Sequence, residues 1–279
     1  MAKENPLASN LTLEQQKNLF GNAYLNMLWH CPTDQRFPYW VHLPDCYYDE
    51  KDPHYKLLVI IHGTGCAVED YVRHAKELAD RDHVAVLAPL FPGGLIQRDD
   101  FNSYKLLSCD GVRYDQILLD MIDDMAKRYP GVETDKFFLF GHSGGGQFAN
   151  RFLFAHPEKL RACAIGAPGR PTFLNPDEDY FWGTRDFKNY FGHDVDLAAV
   201  QKVPVLVIVG ENDTKFIGDS PYGDNRVARM KSLQKNLQDH GVHTELTILP
   251  GFAHEGGEKE RVQAAQHLSL IHISEPTRP

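Results

Sequence analysis

The chain is poor in the features that commit a protein to a special environment. Its five cysteines, at positions 31, 46, 66, 109 and 163, are odd in number and widely scattered. Such a set does not make a disulfide framework; it fits free thiols in a reducing compartment, so a cytoplasmic location is expected. Neither Cys-x-x-Cys nor His-x-x-x-His spacing occurs, so no metal is implied and no cofactor is expected. Positive charge is in deficit, with 29 Lys and Arg against 38 Asp and Glu and a net charge of −9. A nucleic-acid partner therefore has no electrostatic support. There is no apolar run long enough to span a bilayer, and the polar start Met1–Asn5 lacks the apolar core of a secretory leader. No membrane partner is expected. Internal repeats and low-complexity stretches are also missing.

What is present reads as an ordinary globular chain. Its 279 residues are 42% hydrophobic and 24% charged, enough to bury a sizeable core. Thr12 to about Gly21 reads as a short helix capped by Thr12. Ala23–Cys31 and Phe37–Leu43 read as an antiparallel pair at the edge of a sheet. Leu57–Ile61 is a continuous apolar run, the mark of a strand covered on both faces. Val68, Tyr71, Val72, Ala75, Leu78 and Ala79 then recur at helical spacing. Val84–Leu90, Phe137–Phe140, Leu160–Ala167, Val203–Val209 and Thr244–Leu249 read as further strands. Between them, Ile117–Met125, Phe148–Leu153 and Val227–Leu237 carry helical faces. This alternation predicts an α/β fold with a mostly parallel sheet and helices on both sides.

Two segments break the rhythm. Gly93–Gly111 is a connection of about twenty residues, too long to be idle in a compact domain. Pro171–Val200 carries Phe173, Tyr180, Phe181, Trp182, Phe187, Tyr190 and Phe191 among acidic residues and prolines. Either it is a surface excursion with a satellite core, or it caps the carboxyl edge of the sheet; the aromatic density favours the cap. Phe181 and Trp182 are then candidates for substrate contact. The last residues, LSLIHISEPTR over Leu268–Arg278, resemble the translation of a transposase adapter used in shotgun DNA library preparation. The expectation is a domain over 1–267, with the cap-like insertion at 171–200, and a non-native tail over 268–279 on a gene of metagenomic origin.

Chemistry concentrates at the predicted strand ends, where an open α/β sheet forms its ligand crevice. Phe137–Gly146 reads FFLFGHSGGG, a G-x-S-x-G pattern placed where a strand stops and a helix begins. A sharp turn there lifts the Ser143 hydroxyl to the sheet edge, and flanking glycines avoid collisions that a Cβ would cause. A serine needs a base to take its proton and an acid to orient that base. Asp213, in GEND after the Val203–Val209 strand, is the candidate acid; Glu211 is the nearest rival, and Asp219 and Asp224 read as solvated. His254, in the glycine-rich loop after the last strand, is the candidate base among 14 histidines. His62 and His142 read as residues that shape the site, with the His142 side chain directed away from the hydroxyl. The oxyanion that forms on the attacked carbonyl needs backbone N–H donors. Gly144, at a helix N-terminus, and Thr64, between Gly63 and Gly65, are the candidates.

These pieces together resemble the α/β-hydrolase superfamily over about Met27 to Gln266. HGTG, GHSGG, GENDT and GFAHEGG stand in that superfamily's order and spacing. Within it the chain is similar to the dienelactone-hydrolase-like and polyhydroxybutyrate-depolymerase-like esterases. It departs from true dienelactone hydrolases, which use cysteine where this chain has Ser143, and the serine argues against that particular reaction. The resemblance implies a serine carboxylic-ester hydrolase with the triad Ser143, Asp213 and His254 and an oxyanion hole of Thr64 and Gly144. Its expected substrate is a small to medium apolar or aromatic ester, contacted by His142, Phe181 and Trp182. The alternatives on the same scaffold are peptide hydrolysis, carbon–carbon cleavage, cyanohydrin lysis, and a non-catalytic ligand receptor.

Overall fold

The computed structural model describes residues 12–49, 54–256, 259–262 and 264–265; the expected tail over 268–279 lies outside them. The chain opens with α1 (Leu13–Phe20). The Thr12 hydroxyl accepts from the Gln15 amide at 3.2 Å while Gln15 returns the contact to the Thr12 amide, satisfying two amides that a helix start leaves open. The edge pair is β1 (Asn26–His30) and β2 (Pro38–His42), joined antiparallel. β1 starts three residues later than its sequence pattern implies, because Gly21–Leu25 forms a 3₁₀ turn that tucks Tyr24 and Leu25 into the core.

The alternating part then runs β3 (Tyr55–Ile61), α2 (Val68–Asp82) and β4 (Val84–Pro89). The long connection carries a short hairpin, β5 (Ser108–Cys109) with β6 (Val112–Arg113), and leads into α3 (Tyr114–Arg128). β7 (Val132–His142), α4 (Gly144–Ala155) and β8 (Leu160–Gly166) follow. The aromatic-rich segment holds the short helices α5 (Phe187–Phe191) and α6 (Leu197–Val200). β9 (Val205–Gly210), α7 (Arg226–Asp239) and β10 (Thr244–Leu249) follow, and residues 259–262 and 264–265 beyond them are helical.

The main sheet has the order β1-β2-β4-β3-β7-β8-β9-β10, with β1, β2 and β4 paired antiparallel and every other neighbouring pair parallel. Successive side chains on a strand face opposite ways. On β3, Leu57, Val59 and Ile61 join the apolar layer under α3, α4 and α7, while Leu58 and Ile60 join the layer under α2. That two-sided burial is why β3 reads as an unbroken apolar run rather than an alternating one.

The strand order also places the crevice. From β3 the chain moves to β4 on one side, and from β7 to β8 on the other, so the loops leaving β3 and β7 diverge at their carboxyl ends. The segment 171–200 is tied into the body of the fold. Phe173, Tyr180, Phe187 and Phe191 are buried in the larger core layer, and the Tyr180 hydroxyl donates to the Leu106 carbonyl at 2.7 Å. Among the described residues no helix is long and apolar enough to cross a membrane, and no disulfide joins the five cysteines.

Candidate active site

Ser143 stands between β7 and α4 with φ 57° and ψ −111°, a conformation that disfavours an L side chain. Its neighbours enforce it. The Ser143 amide donates to the Gly166 carbonyl at 2.8 Å. A Cβ on Gly145 would fall 2.8 Å from the His62 carbonyl oxygen and press on the Ile61 carbonyl, so α4 can approach the end of β3 only through glycine. The turn therefore holds the hydroxyl at the divergence of β3 and β7.

His254 reaches the same point from the loop after β10. Its Nε2 lies 2.9 Å from Ser143 Oγ, and its Nδ1 lies 2.7 Å from Asp213 Oδ2. A carboxylate oxygen only accepts, so Nδ1 carries the proton and Nε2 is left to accept from the serine hydroxyl. Asp213 is 1% exposed and follows β9. The Asp213 and His254 loops are stitched together where the Asn212 amide donates to the Phe252 carbonyl at 2.8 Å. Glu211, the rival acid, instead accepts from the Gly251 amide at 3.0 Å.

The two other histidines at the site are buried. His62 Nε2 accepts from the Phe91 amide at 3.0 Å, so its proton sits on Nδ1, which faces the Gly63 carbonyl at 2.7 Å. Burial pushes its pKa down to about 4, so the ring stays neutral. His142 donates from Nε2 to the His254 carbonyl at 3.0 Å, and burial, with Arg261 beside it, holds its pKa well below the usual histidine value. Its ring is directed at the backbone of His254 rather than at the Ser143 hydroxyl. His142 does line the cavity of about 490 Å³ that contains Ser143, His254, Gly63, Thr64 and Tyr71.

The two candidate donor residues lie beside each other. A Cβ on Gly144 would lie 3.1 Å from Thr64 N, so the start of α4 and the loop after β3 meet beside Ser143. First-turn amides have no partner within their own helix and aim outward. Of the other sequence candidates, Phe181 lines an adjoining cavity of about 450 Å³ together with Gln147, while Trp182 packs on the Arg229 guanidinium at 5.3 Å and beside Tyr222; neither lines the Ser143 cavity. A larger cavity of about 550 Å³ in the 96–110 loop is walled by Asp99, Asp100 and Asp110 and holds neither nucleophile nor histidine. Among the described residues no group of three metal-ligating side chains converges.

Several residues here were not singled out by sequence. Tyr104 and Lys105 come from the 93–111 connection, whose length was the only signal. Tyr104 donates to the His62 carbonyl at 3.1 Å and presses against the Gly144 position. Arg226 lies 3.4 Å from Asp213 Oδ1. It begins α7, where the helix dipole disfavours a cation; that misplaced charge was a legible signal.

A model of the dienelactone hydrolase family matches residues 44–270. The chain belongs to the dienelactone hydrolase family. It is accordingly an enzyme of the hydrolase type. No curated protein matches the sequence. Among solved structures, this family member is similar to LpqC, a poly(3-hydroxybutyrate) depolymerase from Bordetella parapertussis, at 18% identity and a TM-score of 0.72, over 96% of this chain and 97% of that one. It is similar to poly(aspartic acid) hydrolase-1 from Sphingomonas sp. KT-1 at 19% identity and a TM-score of 0.67, over 87% and 97% of the two chains. An S-formylglutathione hydrolase from Agrobacterium tumefaciens matches at 15% identity and a TM-score of 0.58, over 89% and 94%. At such identities these neighbours establish the α/β-hydrolase fold of this dienelactone hydrolase family member.

Proposed function

We propose that the protein is a serine carboxylic-ester hydrolase working through Ser143, His254 and Asp213. The observation that carries this reading is the unbroken hydrogen-bonded line from Asp213 through His254 to Ser143, at 2.7 Å and 2.9 Å, ending where the start of α4 meets the loop after β3. In this reading Ser143 Oγ attacks the ester carbonyl and its proton passes to His254 Nε2. Asp213 holds the ring in the required tautomer and offsets the imidazolium charge. The negative charge on the former carbonyl oxygen is taken by the amides of Thr64 and Gly144, a contribution of about 3 kcal/mol for each well-placed donor. His254 returns the proton to the leaving alcohol. It then activates the water that releases the acid from the acyl-serine and regenerates Ser143.

The poly(3-hydroxybutyrate) depolymerase and the S-formylglutathione hydrolase among the structural neighbours are ester and thioester hydrolases by name, which fits acyl transfer to a serine. Phe181 and Ile217 supply apolar wall in the adjoining cavity. Short p-nitrophenyl esters test the proposal: Ser143→Ala should abolish their hydrolysis, and unchanged turnover overturns it. Labelling of Ser143 by a fluorophosphonate together with multiple turnovers separates an enzyme from a receptor on the same scaffold.

A further inference from the structure

The adjoining cavity has a chemistry of its own. Its walls carry Lys105, Arg170, Arg226 and Arg229, and no carboxylate lines it. One of its walls reaches the residue after Ser143. Lys105 Cε lies 2.8 Å from where a Cβ on Gly144 would sit, so the lysine stem covers the residue next to Ser143. On the other side Arg226 reaches Asp213.

Among the described residues three of these cations have no carboxylate in hydrogen-bond or ion-pair reach; Arg226 alone meets one, Asp213. Lys105 is 6% exposed, and its Nζ donates to Asn102 Oδ1 at 2.6 Å. Arg229 is buried, and its donors go to the carbonyls of Gly223, Gly169 and Gly218. Arg170 makes no hydrogen bond or ion pair from its guanidinium among the described residues and lies over the Phe181 ring at 5.9 Å. Arg226 Nε is buried without a partner, and only its Nη1 reaches a carboxylate. Behind them the fully buried Arg151 donates to the carbonyls of Lys105 at 2.6 Å and Arg170 at 2.8 Å, fixing the backbone of both. Burial, followed by the Arg151 charge, pushes the Lys105 pKa down to about 8.

Gathering like charges in a half-buried pocket is unfavourable unless something negative enters it. We propose that this cavity is a subsite for an oxyanion group, a carboxylate or a phosphate, carried by the substrate on one side of the scissile carbonyl. This deepens the ester-hydrolase reading and rests on it. Planar guanidinium groups with unused donors suit such groups better than an apolar chain. An anion that engages Arg226 also touches the partner of Asp213, which links occupancy of the subsite to the catalytic acid.

Matched ester pairs provide the test: monomethyl succinate against methyl butyrate for carboxylate, and an acetyl ester of a phosphorylated alcohol against that of the free alcohol for phosphate. Wild type should prefer one charged member in kcat/KM on the order of tenfold or more at low salt, and the preferred pair names the group. The preference should shrink at high salt. It should collapse in Arg170→Gln and invert in Arg170→Glu, both at an exposed position that tolerates substitution. Equal rates within both pairs, or preference for both neutral members, overturns the subsite. The ester-hydrolase reading is separated by binding: in Ser143→Ala, succinate or inorganic phosphate should raise the Tm in a saturable way that Arg170→Glu removes. If no ester is turned over yet this shift appears, the subsite stands and the reaction assignment falls. If esters are turned over without charge preference and no shift appears, the reverse holds.

Discussion

Ser143 sits in a backbone conformation that costs on the order of 1–3 kcal/mol, held by the hydrogen bond of its amide to the Gly166 carbonyl and by the close approach of α4 to the end of β3 at Gly145. The polar groups around it are sorted by what they can donate. Asp213 can only accept, which orients His254, and His142 can only donate to the His254 carbonyl, which fixes the backbone of that residue. Asp213→Asn should keep the geometry but favour the wrong tautomer, lowering kcat by about 10⁴-fold on short esters. His142→Ala should release the His254 loop; a small misplacement of the base costs on the order of ten- to a hundredfold, read as a fall in kcat with little change in KM. An equal loss in Ser143 labelling and in folding stability would instead mark His142 as a general core residue.

At the scale of elements, helices α4 and α7 aim the site. α4 owes its close approach to glycine. In an exposed helix, Gly to Ala gains about 1 kcal/mol from propensity, but at Gly145 the added Cβ meets the His62 and Ile61 carbonyls. Gly145→Ala should therefore lower the Tm and the activity together, measured by thermal unfolding and ester turnover. α7 is started by Asn225, whose side chain accepts from the Ala228 amide at 3.0 Å and so sets the direction of Arg226 and Arg229. Asn225→Ala should cost about 1 kcal/mol in urea unfolding. The 171–200 segment was legible as an aromatic insertion, but not how its rings divide. Four are buried in the core, Tyr190 is exposed, Phe181 lines the basic cavity and Trp182 stacks on Arg229. Aromatic density marks burial, and only neighbouring elements determine whether a ring meets solvent, core or cavity.

For the whole molecule, buried titratable groups set the response to pH. His62 is neutral when folded, with a pKa of about 4, against about 6.5 in an unfolded chain. Between those values the unfolded state binds more protons, so stability falls as pH drops from about 6.5 towards about 4. Asp115 adds a second, more acidic window. Burial pushes its carboxyl up, but hydrogen bonds from His156 at 2.8 Å and Arg113 at 2.6 Å outweigh that and hold it at about 2. Its depressed pKa contributes stability that is present above the ordinary carboxylate value of about 4 and is lost as pH falls through 2. Urea midpoints measured from pH 7 to pH 3 should decline across the first window and then steepen. His62→Gln, which keeps an acceptor for the Phe91 amide, should flatten the decline between pH 6.5 and 4.

The order of strands and helices, the serine turn and the separate loops that carry Asp213 and His254 were written locally. Each depends on short-range rules: a doubly covered strand is continuously apolar, and a tight turn needs glycine. β1 was read too long because a 3₁₀ turn keeps the apolar content of a strand end while bending the chain. The distances that join Ser143, His254 and Asp213 come from strand order, which brings residues more than forty positions apart to one sheet edge. The basic cavity beyond them was invisible in a chain with net charge −9. Its cations come from the 93–111 loop, the turn after β8 and the start of α7. Charge summed along a sequence carries no information about which residues share a wall; packing assigned Lys105, Arg170, Arg226 and Arg229 to the same one.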